Sequence, residues 1–182
     1  DRWSNYIASR FAWPLDQLAM HRGHEGRTAS TQNLRMESCD FIEWKWGARK
    51  TFLFNRGLSY FEKQGDRMID TLLVTEGENQ THFSIGLSMD RDHPFQMAMA
   101  LDSPIYIQKV SKGAPPAGPT GWFFHIDAPN LVLHQISFKA EESSAYLLLE
   151  ETEGFATPCD LRWGVSPRRG WVRDGRYDVP GV

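Results

Sequence analysis

Apolar and polar positions alternate with a period of two through much of the chain, and that period predicts strands. Between residues 82 and 89, Phe83, Ile85, Leu87 and Met89 fall on one side and His82, Ser84, Gly86 and Ser88 on the other, the mark of a strand with one buried face. The preceding run, Met68 to Thr75, is almost continuously apolar after Asp70, and the short polar connection Glu76 to Gln80 predicts a hairpin between the two. Trp3 to Trp13 reads as a first strand, ended by Pro14 because proline cannot donate to a ladder. Residues 15–31 are polar and read as a long loop. Residues 34–46 and 51–55 predict a second hairpin around a turn at 47–50, followed by an irregular link over 57–66. One helix is predicted over His93 to Leu101, with Asp92 as N-cap, Pro94 in the first turn and Pro104 beyond the end. A short strand follows at 105–110, then a Pro- and Gly-rich loop at 111–121, read as internal to the domain. Residues 122–127 and 131–139 predict a third hairpin, and 145–151 a last strand. Periodicity is lost after Gly154. The fold class expected is mainly β, an antiparallel two-sheet sandwich over 1–154 with one short helix and long loops, followed by an irregular Arg- and Trp-rich tail over 155–182.

Composition sharpens this picture in a few places. The 182 residues are enough for one domain with a sizeable core. Aromatics reach 13%, with seven Trp and eleven Phe, which suits broad sheet surfaces. The formal net charge is −3. The tail carries five Arg against three Asp, a local +2, but the acidity of the rest excludes a nucleic-acid partner as the expectation. Cys39 and Cys159 are far apart and are expected to be free thiols. Such sparse cysteine leans toward a reducing compartment such as the cytoplasm, with the compartment left open. No apolar run approaches the roughly 20 residues of a membrane span, and no charged segment leads into an apolar one as in a signal peptide. The chain starts at Asp1, inside a strand-like pattern, and is expected to be a fragment or a processed product. Missing strands would leave sheet edges open to self-association.

Candidate chemistry is sparse. Glu43-Trp44-Lys45-Trp46 places two indoles on one face of a strand and two charges on the other. Exposed, such a pair makes a platform for sugar C–H faces; buried, it is core. His125 and Asp127 share a strand face with metal-ligand spacing, but no third ligand is near them in sequence. His21-Arg22-Gly23-His24 is half a zinc site without its second half. Asp90 to His93 lacks the Gly and the distal Glu of a calcium loop. Glu141, Glu142, Glu150, Glu151 and Glu153 contain material for a glycosidase carboxylate pair, whose separation only a structure can give. There is no Gly-x-Ser-x-Gly elbow, phosphate-binding glycine loop or His-Glu-x-x-His motif.

Taken in order, NYIASRFAWP, TFLFNRGLSYFEKQGDRMIDTLLVTEGENQTHFSIGLSMD, HPFQMAMAL, GWFFHID and LLLEETEG resemble the C-terminal β-sandwich region of glycoside hydrolase family 38 and related α-mannosidase-like proteins. The resemblance spans about Trp3 to Gly154. It implies a β-supersandwich of galactose-mutarotase-like shape. In that family, exo-acting α-mannosidases use a carboxylate nucleophile and a zinc ion held by His and Asp, which lie mainly in an N-terminal barrel and the helical region after it. Neither region is present here, and His125-Ile126-Asp127 is not the barrel's zinc motif. The resemblance thus implies a non-catalytic portion with no cofactor of its own, zinc residing only in the catalytic domain. Its partners would be that domain and a mannoside-type glycan, touched through Trp44, Trp46, His125 and Asp127. The alternative is a stand-alone carbohydrate-binding module. A third reading, a sugar-processing enzyme of mutarotase-like shape, would need His82, His125, Asp127 and the glutamates to converge in one cleft. After LLLEETEG the family continues with further strands, whereas this chain turns to Arg and Trp, as a truncated or frame-shifted product would.

Overall fold

Strand β5 (Phe41–Trp46) shows how the layers are built. Ile42 and Trp44 point to one side and Phe41 and Glu43 to the other, and all four are buried. A strand buried on both faces requires a covering layer on each. The computed structural model describes residues 4–16, 18–103, 107, 121–139, 141, 143–164, 170–174 and 177–180. Among them, β5 pairs with β6 (Arg49–Phe54) through a two-residue turn, Trp46 facing Arg49. Gly47 takes the positive φ of 58° that such a turn asks of its first central residue. With β2 (Ala19–His24), β3 (Arg27–Ser30) and β9 (Gly86–Met89), these strands form an antiparallel sheet in the order β3-β2-β5-β6-β9.

A second antiparallel sheet covers one face in the order β1-β8-β7-β4, from β1 (Tyr6–Ala12), β8 (Met68–Thr75), β7 (Tyr60–Lys63) and β4 (Arg35–Glu37). Met20, Ile42, Trp44 and Leu53 of the first sheet meet Met36, Phe61 and Ile69 of the second in one core, joined by Trp13. The other face is covered by α1 (Pro94–Asp102) and by β11 (Leu131–Lys139), which pairs with β12 (Ser144–Glu151). Phe41, Phe52 and Phe54 pack there against Phe95, Ala98 and Val132. These elements belong to one unit, Asp1–Pro104 with Pro129–Ala156; Ile105–Ala128 and Thr157–Val182 form another. In the latter, β10 (Phe124–Ile126) pairs with β13 (Leu161–Trp163), and β14 (Trp171–Asp174) with β15 (Tyr177–Pro180).

The outer face of the four-stranded sheet is polar, with buried carboxylates beneath exposed arginines. Register aligns Arg10, Asp70, Glu62 and Arg35 in one row across all four strands. Arg10 donates twice to the Asp70 carboxylate, at 2.6 and 2.7 Å. Arg35 Nε reaches Glu62 Oε1 at 3.2 Å, and the Tyr6 hydroxyl donates to Glu62 Oε2 at 2.8 Å. Burial, then the Glu62 carboxylate, push the Tyr6 phenol up to about 12.

The mainly β, antiparallel architecture matches the expectation from the sequence, and several pairings correct it. The predicted hairpin of 68–75 with 82–89 does not form. β8 is already paired on both edges, by β1 and β7, so β9 joins β6 in the other sheet. Its apolar side is also inverted: Leu87 is 58% and Met89 68% exposed, while Gly86 and Ser88 face α1. There Leu101 Cδ1 sits 3.0 Å from where a Gly86 Cβ would be, and Ser88 Oγ lies 4.0 Å from Met97 Sδ. Residues 15–31 hold the β2–β3 hairpin instead of a loop, its turn made by Glu25 and Gly26 with φ of 49° and 71°. The third predicted hairpin exchanges partners: β10 pairs with β13 and β11 with β12. The span 34–46 splits into β4 and β5, one in each sheet. The tail expected to be irregular contains β13, β14 and β15. Most of the strand over 105–110 and most of the loop over 111–121 lie outside the described residues.

Candidate functional site

The polar part of the five-stranded sheet lies on the face shared with α1. Register places His21, Glu43 and Phe52 in one row and Ala19, Lys45 and Lys50 in the next. Phe52 is covered by the second core, whereas the charged positions open into a cleft of about 740 Å³. Its other wall comes from residues 92–95, at the entry to α1, and residues 151–154, after β12.

Several charged side chains in the cleft are held by others. The Glu43 side chain is only 5% exposed, with Lys45 Nζ 3.4 Å from its Oε2. His21 Nδ1 lies 3.3 Å from the same oxygen, an electrostatic contact without hydrogen-bond geometry. Lys50 Nζ reaches Asp92 Oδ1 at 3.3 Å. The Asp90 carboxylate ties the β9–α1 turn to β6, accepting from the Lys50 N–H at 2.9 Å and forming an ion pair with Arg49, whose Nε lies 2.8 Å away.

The turn itself is strained. Asp90 and His93 both adopt left-handed backbone, with φ of 51° and 56°, a conformation that costs about 1–3 kcal/mol for such residues and persists only where surroundings enforce it. The enforcing contact for His93 is Glu153, whose Oε1 meets His93 Nδ1. His93, not the expected Asp92, is the N-cap of α1, and its side chain makes no capping bond. Asp92 is committed to Lys50 instead.

The segment 151–154 is shaped by a collar around Glu151. Its Oε1 accepts from Asn130 Nδ2 at 2.9 Å and from the Glu153 N–H at 2.8 Å, and its Oε2 from the Gly154 N–H at 2.7 Å. These bonds, Asn130's first, hold the Glu151 carboxyl below the usual range. Nearby, Glu150 pairs with His134 and abuts the β2–β3 turn, where a Gly26 Cβ would stand 2.6 Å from its carboxylate.

The residues singled out in the sequence fare differently. Trp44 is 1% exposed, lying 5.2 Å from the Phe11 ring and 5.0 Å from that of Trp13. It therefore offers no platform to a sugar. Trp46 is half-buried, and the pleat turns it toward the same side as Trp44, away from the cleft. His125 and Asp127 sit in the other unit. His125 is exposed opposite Arg162, while Asp127 Oδ1 accepts from the Asp160 N–H at 2.7 Å. His21 and His24 are three apart on a strand, so they face opposite ways and do not form a joint metal site. Among the described residues no group of three or more His, Cys, Asp or Glu has the geometry to hold a metal. Both cysteines are free, and burial pushes both thiols up, Cys39's further raised by Asp40. Sequence reasoning missed Lys50, His93 and Glu153 as partners. The available signal was a Glu and a Lys opposite two Trp in a strand otherwise destined for burial.

The chain is similar in structure to a protein in the glycosyl hydrolase family 38 from Enterococcus faecalis. The match has a TM-score of 0.71 at 14% identity and covers 87% of this chain. The likeness shows the fold. The chain corresponds to 22% of that protein's chain. No family model and no curated protein matches the sequence.

Proposed function

We propose that this chain is the accessory β-sandwich portion of a larger, α-mannosidase-like glycoside hydrolase of the family 38 type. Its work is to support a catalytic domain, which carries the nucleophile and the zinc, and to contact glycan beside it. The observation that carries the reading is the superposition of 87% of the chain on about a fifth of a family 38 protein. The pairing of carboxylates in the cleft supports it further. Glu43 is engaged by Lys45, Glu151 by Asn130 and backbone N–H groups, and Glu153 by His93. A glycosidase pair needs one carboxyl protonated and one ready to attack or to activate water. Incubating the purified 182-residue chain with an aryl α-mannoside tests the reading. No release of the phenol is expected; turnover by the chain alone would overturn it.

A further inference from the structure

We propose that the cleft bounded by Glu43, Lys45, Lys50, His93 and Glu153 binds one sugar residue of a neutral glycan. The proposal rests on the accessory-sandwich reading above and says where such a portion meets carbohydrate.

Three features distinguish the cleft from a merely solvated face. First, Lys45 and Lys50 stand directly across from each other on neighbouring strands. Like charges in that position are destabilising, and here both ammonium groups turn into the same concavity. Second, the Glu43 carboxylate beside them is nearly buried, on the sheet face that also carries the core rings Phe41, Phe52 and Phe54. Third, the opposite wall is set by strained backbone at His93, fixed by a side chain from a distant segment, Glu153. Strain of this kind gathers at ligand clamps.

The chemistry of the walls selects the ligand class. Arg27, Lys45 and Lys50 line the cleft together with Glu43, Asp92, Glu151 and Glu153. The signs nearly cancel, so neither an anion nor a cation is favoured as a whole. Ammonium groups only donate and carboxylates only accept. A row of hydroxyls, each able to donate and to accept, satisfies both at once. The volume lies within the roughly 300–1,000 Å³ of small-molecule sites. Phe52 and Phe95 lie beneath the polar groups and are nearly unexposed, so stacking adds little. Recognition is by hydrogen bonds to hydroxyls, and the affinity expected is millimolar.

Backbone-amide NMR of the 182-residue chain, titrated with methyl α-mannoside and separately with inorganic phosphate, tests this. The expected result is saturable shifts at residues 43–52, 92–95 and 151–154 with the sugar and none with phosphate. Lys50→Met and, independently, Glu153→Gln are each expected to weaken sugar binding about tenfold, as loss of a hydrogen bond to a charged group does, with the spectrum away from the cleft unchanged. Absence of saturation up to the solubility of the sugar, shifts centred elsewhere, or binding of phosphate at these residues would overturn it. Such a result, with the chain still inert toward the aryl mannoside, removes the cleft and leaves the accessory role standing. Turnover of the aryl mannoside removes the role itself.

Discussion

Adjacent residues in β5 have opposite fates, and the difference lies in what each meets. Trp44 enters the core between the sheets, and Glu43 enters a charged cleft. Both are buried, and only the partner distinguishes them. The sequence shows the alternation of Glu-Trp-Lys-Trp but not the layer beyond each face, so it left the indoles open between a sugar platform and the core. At the cleft rim, Glu151 offers a direct check. Its folded carboxyl is held below the usual value of 4.5. Its contribution to stability is therefore full above the unfolded value and is lost as pH falls through the lower folded one. In a side-chain carboxyl NMR titration, Glu151 is expected to titrate below the ordinary glutamate range. Asn130→Ala is expected to bring its titration back toward that range.

At the level of elements, turn chemistry was readable and partner choice was not. The β5–β6 hairpin follows from Gly47-Ala48 between two apolar runs, and β1 from its alternation. The β2–β3 hairpin was hidden by its composition, since His, Arg, Thr and Ser are acceptable on a strand whose neighbours supply the burial. Only Glu25-Gly26 announced it. The Met68–Met89 pair failed for a different reason. A ten-residue connection carries no register information, and both edges of β8 were filled by other strands. Gly23 reveals how closely the polar strand approaches the core: a Cβ there would lie 2.6 Å from Phe41 Cε1, in a ring with 0% exposure. Gly23→Ala is expected to destabilise by about 1–3 kcal/mol, the usual cost of overpacking, measured by urea unfolding.

At the scale of the whole molecule, the described β-layers share their stability through strands that no local stretch supplies. Phe61, on the inner face of the four-stranded sheet, is fully buried against residues from five other strands and Trp13. Phe61→Ala is expected to cost about 3–5 kcal/mol, as large-to-small changes in a tight core do. Circular dichroism should show the loss as a lowered melting midpoint with the same folded spectrum. A predominance of strand and helix α1 were visible in the sequence because both rest on local periodicity. The sheet memberships and the cleft rest on contacts between residues tens of positions apart, which periodicity does not encode.

The chain moves from one sheet to the other between β1 and β2, β3 and β4, β4 and β5, β6 and β7, and β8 and β9. The two sheets are therefore woven from a single thread that shuttles between them. A cut anywhere along residues 31–85 would strip both of interior or flanking strands, so no contiguous half would inherit a whole sheet. The β1–β8, β2–β5, β4–β7 and β6–β9 ladders must also wait for a segment that emerges later in the chain. Such a topology matures slowly, because distant pieces must meet before either gains from the other. It also makes this region a unit inherited and lost as one.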